Sequence, residues 1–250
     1  MIMRYKKLSY CLTSLALFTI VICSNNYKIF AESNNPNFLG PKVNLRSDWE
    51  GVRKVSKGIS ILILAGHADS QGISGAGTSG ESVDIYGAQP MNYSISDELY
   101  WNLRIRDAIV KLGKAQGLNI NSYEPGIRNI DNGNDPRTNW SVGAEHVKHG
   151  GYSIEIHFDS YGEYGFGSGL IPAITPDLNL IDENLANTFG RYPIFFRGGL
   201  GAPRRGIRVL EVGKLEGKLE KRLRSLSTRE ETINHVAKLV INSIQAGLSQ

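Results

Sequence analysis

Cysteine is almost missing from this chain of 250 residues: Cys11 and Cys23 are the two present, both close to the N-terminus. A domain that begins after them uses neither disulfides nor thiol nucleophiles, whatever the redox state around it. A surplus of charge is missing too. Of the 28 basic residues, Arg4, Lys6, Lys7 and Lys28 fall in the first 31 positions, where no acidic residue stands, so 24 basic residues face 24 acidic ones in the remainder. The formal charge of +4 therefore belongs to the N-terminal segment, and a nucleic-acid partner is not expected. The glycine-rich Gly75-Ala-Gly-Thr-Ser-Gly80 lacks a following Lys-Ser or Lys-Thr, which excludes a phosphate loop of the P-loop type. No internal repeat is present.

The apolar stretch Tyr10 to Ser24 is also too short for a membrane span, which needs roughly 20 residues. After a basic start, fifteen uncharged residues followed by polar ones and then Phe30-Ala31 read as an export signal over residues 1–31. It is cleaved near Ala31 or retained as an uncleaved anchor, the one expected membrane contact. Bulky Val21-Ile22 before Cys23 argue against lipid attachment there. The protein is thus expected in the periplasm or cell envelope, or secreted. Residues 32–57, rich in Asn, Pro, Ser and charge, read as a polar linker, with Trp49 and Val52 able to pack on the domain that follows.

Residues 58–250 read as one catalytic domain. Ile59 to Ala65 is a nearly continuous apolar run ending at Gly66-His67, the pattern of a parallel strand buried on both faces. Further strands are expected over 118–123, 152–157 and 206–212. Helices are expected over 98–116, capped by Ser96 or Asp97 and stopped by Gly117, from 135 to about 149, over 178–189 and over 228–246. The alternation predicts a three-layer α/β fold with a mostly parallel central sheet flanked by helices. Loops fill most of 72–87 and 159–203.

In such folds ligands bind beyond the C-terminal ends of the strands. His67, His157 and Glu211 each stand at or beside an expected strand end, and Glu98 opens the first long helix. Two imidazoles and a carboxylate suit a catalytic zinc site with one position left for water. A further carboxylate would move the proton from that water to the leaving nitrogen of an amide. Singly, each residue has a blander explanation: a turn histidine at 67, a packed histidine at 157, a carboxylate favouring a helix start at 98. Glu211, in the apolar Val-Leu-Glu-Val, is harder to explain without a partner. Asn102, four residues after Glu98, shares its helix face and is a candidate to orient it or to bind substrate. Glu155 shares a strand face with His157 and would partner it or a basic residue on a neighbouring strand. Asp69 and Asp159 are candidate supports. His146 and His149 read as a pair at a helix C-terminus. Arg204, Arg205, Arg208, Lys218, Lys221, Arg222 and Arg224 form either a solvated face or a surface for an anionic polymer.

From about Ser60 to Ala246 the chain resembles the zinc-dependent N-acetylmuramoyl-L-alanine amidases that lyse cell walls. The similar segments are Leu64-Ala-Gly-His-Ala-Asp-Ser-Gln-Gly72, Glu98-Leu-Tyr-Trp-Asn102, Glu155-Ile-His-Phe-Asp-Ser160 and Val209-Leu-Glu-Val-Gly213. The resemblance implies a mixed α/β fold and Zn2+ held by His67, Glu98 and His157. It also implies Glu211 as catalytic base and acid, and a peptidoglycan or related wall polymer as partner. The bond implied is the amide between the lactyl group of muramic acid and the first L-alanine. Departures include Ala65 for the family's proline, Ala68 for a glycine, Phe158-Asp159 for Ala-Asn, and Val212 to Gly217, which lacks the usual Phe and Ser-Asn. Two other readings stay open: a zinc peptidase or amidohydrolase for a different amide, and a non-catalytic wall-binding protein with an inherited cleft.

Overall fold

The computed structural model describes residues 38–175 and 178–248. The expected export segment 1–31 lies outside the described residues, as do positions 32–37 of the expected linker. Residues 38–57 carry no regular helix or strand and lie against the domain. Phe38, Val43 and Val55 are buried in it, and the Trp49 indole donates to the Tyr192 carbonyl at 2.7 Å, whereas Val52 is exposed.

The chain then alternates strand and helix: β1 (Ile61–Ala65), α1 (Glu81–Asp84), α2 (Asp97–Ala115), β2 (Ile120–Ser122), α3 (Asn139–Lys148), β3 (Tyr152–Asp159), β4 (Gly169–Ile171), α4 (Leu180–Phe189), α5 (Gly201–Arg204), β5 (Arg208–Lys214), α6 (Gly217–Arg224) and α7 (Arg229–Leu248). The five strands form one sheet in the order β2-β1-β3-β5-β4, parallel except for the antiparallel β4–β5 pair. The protein is therefore a three-layer α/β domain with a mostly parallel sheet.

All five residues of β1 are buried, which is why its sequence is apolar without alternation. On one face Ile61, Ile63, Ile154, Ile156, Leu210 and Val212 pack with Trp101, Ile105 and Ile109 of α2, and with apolar residues of α4 and α7. On the other, Leu62, Leu64 and Val209 pack against Trp140 and Val142 of α3. None of the helices among the described residues is long and apolar enough to cross a membrane.

Local chemistry sets the helix ends. The Ser96 hydroxyl accepts from Leu99 N–H at the start of α2, so the cap is Ser96 rather than Asp97. Thr138 caps α3, which begins at Asn139; Asp135-Pro136 forms the turn before it. Four elements carried no sequence expectation: the four-residue α1 and α5, β4 and α6. β4 is three residues long, and α6 follows β5 directly, its Leu219 and Leu223 buried beneath exposed Lys218 and Lys221.

Candidate metal centre

The parallel register brings the site together. Ala65 of β1 pairs with Ile156 of β3, and His157 of β3 pairs with Glu211 of β5. The Gly66-His67 turn, His157 and Glu211 thus lie in one row across three adjacent strands. Glu211 is not at a strand end as expected: β5 begins two residues later than the apolar pattern suggests and continues to Lys214, leaving Glu211 at its middle. It still reaches the row because β3 and β5 run on past the level at which β1 stops.

Glu98 arrives from the first turn of α2. Its Oε1 lies 3.3 Å from His67 Nε2 and 3.3 Å from His157 Nδ1. The two imidazoles meet edge to face, 4.7 Å between centroids. One donor atom from each of His67, Glu98 and His157 can be chosen so that all lie within 4.8 Å of one another, the spacing of a group able to hold a metal ion. Glu98 is held by Thr78 N–H to Oε2 at 2.9 Å and Phe158 N–H to Oε1 at 3.2 Å, so the glycine-rich loop is fastened to it. Burial opposes its charge, yet the two histidines together hold its carboxyl well below the usual carboxylate range.

The turn carrying His67 is strained and pinned. With φ at 63°, His67 is the one non-glycine residue with positive φ among the described residues. Four consecutive carbonyls around it accept side-chain donors: Ala65 from Asn139 (2.7 Å), Gly66 from Asn102 (3.2 Å), His67 from Gln71 (3.0 Å) and Ala68 from Arg128 (3.1 Å). These donors come from four separate places in the chain. Gly66 is required by its neighbour, since a Cβ there would sit 2.2 Å from Cε1 of His157.

Glu211 Oε2 is buried without a hydrogen-bond partner. Burial pushes its carboxyl up to about 8, against the attraction of His157 and with the charges of Asp159 and Glu98 adding to the rise. For His157, burial is outweighed by hydrogen bonds to Glu155 and Glu98 and by the charge of Glu211, which hold its ring well above its ordinary value.

The remaining candidates sort by what they touch. Glu155 faces His157 Nε2 at 3.4 Å, not a basic residue on a neighbouring strand. Asn102 holds the Gly66 carbonyl and makes no hydrogen bond to Glu98. Asp69 accepts from Asn139 N–H at the start of α3, and Asp159 accepts from Gly167 N–H and the Tyr192 hydroxyl, ordering the loop beyond β3. His146 bonds the Ser60 carbonyl and His149 the Glu145 carbonyl, both away from the site. Arg208 is buried against Asp182, and Arg222 and Arg224 pair with Glu231 and Asp97, so much of the basic cluster is engaged internally. Asn139, Gln71, Arg128 and Thr78 were not singled out from the sequence; the contacts of Asn139, Arg128 and Thr78 reach across the fold, whereas that of Gln71 spans only four residues.

A cleft of about 590 Å3 opens over the row, walled by the glycine-rich loop at Ile73 to Thr78, by Ile130 to Gly133 and by Leu200 to Ala202. Asp69, Glu98, Asp131, Glu155, Asp159 and Glu211 line it, and among the described residues neither Lys nor Arg does. The centre joins a compact N/O donor set and a buried carboxylate whose proton is held more tightly than usual, at the floor of an open cleft.

No protein-family model matches the chain, and no curated protein matches it. Solved structures do. The N-acetylmuramoyl-L-alanine amidase AmiC2 of Nostoc punctiforme is similar over 78% of this chain and 100% of its own, at 15% identity and a TM-score of 0.51. The N-acetylmuramyl-L-alanine amidase Ami1 of Mycobacterium abscessus, in its apo form, covers the same shares at 17% identity and 0.50. Cwp6 from Clostridium difficile is similar at 13% identity and 0.53, over 77% of this chain and 30% of that longer one. The chain has the fold of the AmiC2 and Ami1 amidases and of Cwp6.

Proposed function

We propose that this protein is an exported, zinc-dependent N-acetylmuramoyl-L-alanine amidase. The observation that carries the reading is the convergence of His67, Glu98 and His157 beside the buried Glu211, in a cleft of the amidase fold. Export is supported by the basic and then apolar N-terminal pattern.

The residues present fit zinc. Two imidazole nitrogens and one carboxylate oxygen form a borderline-soft donor set, and the cleft's excess of carboxylates favours a divalent cation. His67, Glu98 and His157 would hold the zinc, which would supply Lewis acidity, polarising a carbonyl and lowering the pKa of water to roughly 7. Glu211 takes the proton of the attacking water on its carboxylate. As the new C–O bond forms and the C–N bond breaks, it delivers that proton to the departing nitrogen of L-alanine. Burial raises the Glu211 carboxyl in the metal-free protein, and a cation held beside it would draw it back toward the carboxylate form that accepts the first proton. The pinned turn presents His67 without reorganisation, and the cleft receives the stem peptide and the adjoining sugar.

Zinc content and turnover of purified sacculi by wild type and Glu211→Gln test this reading. We expect one zinc per chain in both, and a loss of at least a hundredfold in rate for the variant. A fully active, zinc-loaded Glu211→Gln would overturn the role of Glu211, and failure of the wild type to take up zinc would overturn the metal site.

A further inference from the structure

The buried carboxylate of Glu155 has no evident place in the chemistry above. It is 3% exposed, lies on β3 two residues before His157, and faces into the cleft. Among the described residues its ion-pair partner is the His157 ring, Oε2 to Nε2 at 3.4 Å, and no Lys or Arg pairs with it. A carboxylate this buried is costly unless a neighbour uses its charge.

The two nitrogens of His157 each look at a carboxylate: Nδ1 at Glu98 Oε1, Nε2 at Glu155 Oε2. A neutral imidazole has one N–H and one lone pair, and a metal takes the lone pair. With the proton on Nδ1, the lone pair of Nε2 would point at the negative charge of Glu155. With the proton on Nε2, the ring donates to Glu155 and presents the Nδ1 lone pair beside Glu98 and His67. The ring has little freedom to turn, since it lies against the backbone of Gly66 and its edge meets the face of His67 or the reverse at 85°.

Resting on the zinc reading, we infer that Glu155 is a positioning residue that fixes the tautomer and orientation of His157 and thereby sets the affinity of the site for zinc. His67 differs: among the described residues no carboxylate braces its Nδ1 in this way, and its place is set by the backbone carbonyl contacts of its turn. The two histidine ligands are thus oriented by different means, one through its ring and the other through its main chain. Removal of such an outer partner typically weakens metal binding 10–100-fold.

The experiment is zinc affinity by chelator competition on wild type, Glu155→Ala and Glu155→Gln, with circular dichroism and metal-free melting as checks of folding. It is joined by 15N NMR of the histidine side chains in the zinc-loaded proteins. We expect zinc affinity to fall 10–100-fold in Glu155→Ala. A smaller loss is expected in Glu155→Gln, whose amide oxygen still accepts from Nε2–H without carrying charge. The Nε2–H resonance of His157 should be hydrogen-bonded in wild type and altered in both variants. Should Glu155→Ala fail to fold, Glu155→Gln decides. Affinities within twofold of wild type in the folded variants, with an unchanged His157 resonance, would overturn the positioning role while leaving the zinc site intact. A wild type that binds no zinc would overturn the site itself, and this inference with it.

Discussion

His67 occupies a backbone conformation that side chains rarely adopt, and the neighbouring carbonyls are held by Asn139, Asn102, Gln71 and Arg128. Strain of this kind, of order 1–3 kcal/mol, persists only when surrounding contacts over-determine it. Gly66 complements it by leaving room for the His157 ring. A Gly66→Ala variant should therefore push that ring aside and weaken zinc binding at least tenfold while the protein stays folded; chelator competition and circular dichroism check this. Glu211 yields a second expectation at this scale. Its folded-state carboxyl stands at about 8, above its ordinary 4.5, so the folded metal-free protein holds a proton that the unfolded chain has released. The stability this group contributes is full below about pH 4.5 and is lost as pH rises through about 8. Metal-free Glu211→Gln should thus gain on wild type across that window by a few kcal/mol, an order-of-magnitude figure. Melting curves of both proteins over the range test it, and parallel curves would contradict the raised value. The histidines were legible because an apolar run leads into Gly66-His67 and an alternating strand pattern into His157, although β3 runs two residues past the end expected at His157. Asn102 was readable as a helix-face neighbour of Glu98 but not as a clamp on Gly66, since that contact spans 36 residues.

The strands and helices place these residues, and their ends explain what sequence patterns could and could not say. The apolar run of β1 and the long repeats of α2 and α7 announced themselves, because burial on two faces or on one helical side leaves a periodic trace. β4 left none, being three residues long and antiparallel against β5. β5 was expected too early because Gly206-Ile207 reads as strand, although Gly206 has φ at 80° and closes the turn after α5. The strand is anchored where it begins. Arg208 pairs with Asp182 of α4, its Nε 2.8 Å from Oδ1, and lies over the ring of Tyr152 on β3. Asp182 also completes the capping box of α4 with Asn179. Removing one member leaves a buried charge unpaired, so Arg208→Ala should cost about 3–5 kcal/mol in urea unfolding. A loss below 1 kcal/mol would show that the pair does not fasten β5 to the helical layer.

Across the described residues, two helical layers cover the sheet and leave its C-terminal edge open as the cleft. The fold class was readable from the order of elements, since strands alternating with helices have few ways to bury parallel pairs. Of the acidic lining, Asp131 was not singled out, and the meeting of all six carboxylates in one cleft was not readable because they come from five separate segments of the chain. On the proposed reading, zinc is a ligand of the folded state alone, since its donors meet only there. At free zinc a hundred times its Kd, binding should stabilise the protein by about 2.7 kcal/mol. The expected result is a melting temperature that rises with zinc and falls back on chelation; an unchanged melting temperature would mean that the site holds no zinc. The most direct measurement of what the assembled molecule does is mass analysis of the products released from purified sacculi by the zinc-loaded protein. We expect stem peptides that begin with a free L-alanine amine, together with glycan strands whose lactyl groups are unsubstituted. Sacculi left intact while the protein cleaves other amides, or fragments cut only within the peptide or the glycan, would contradict the amidase reading.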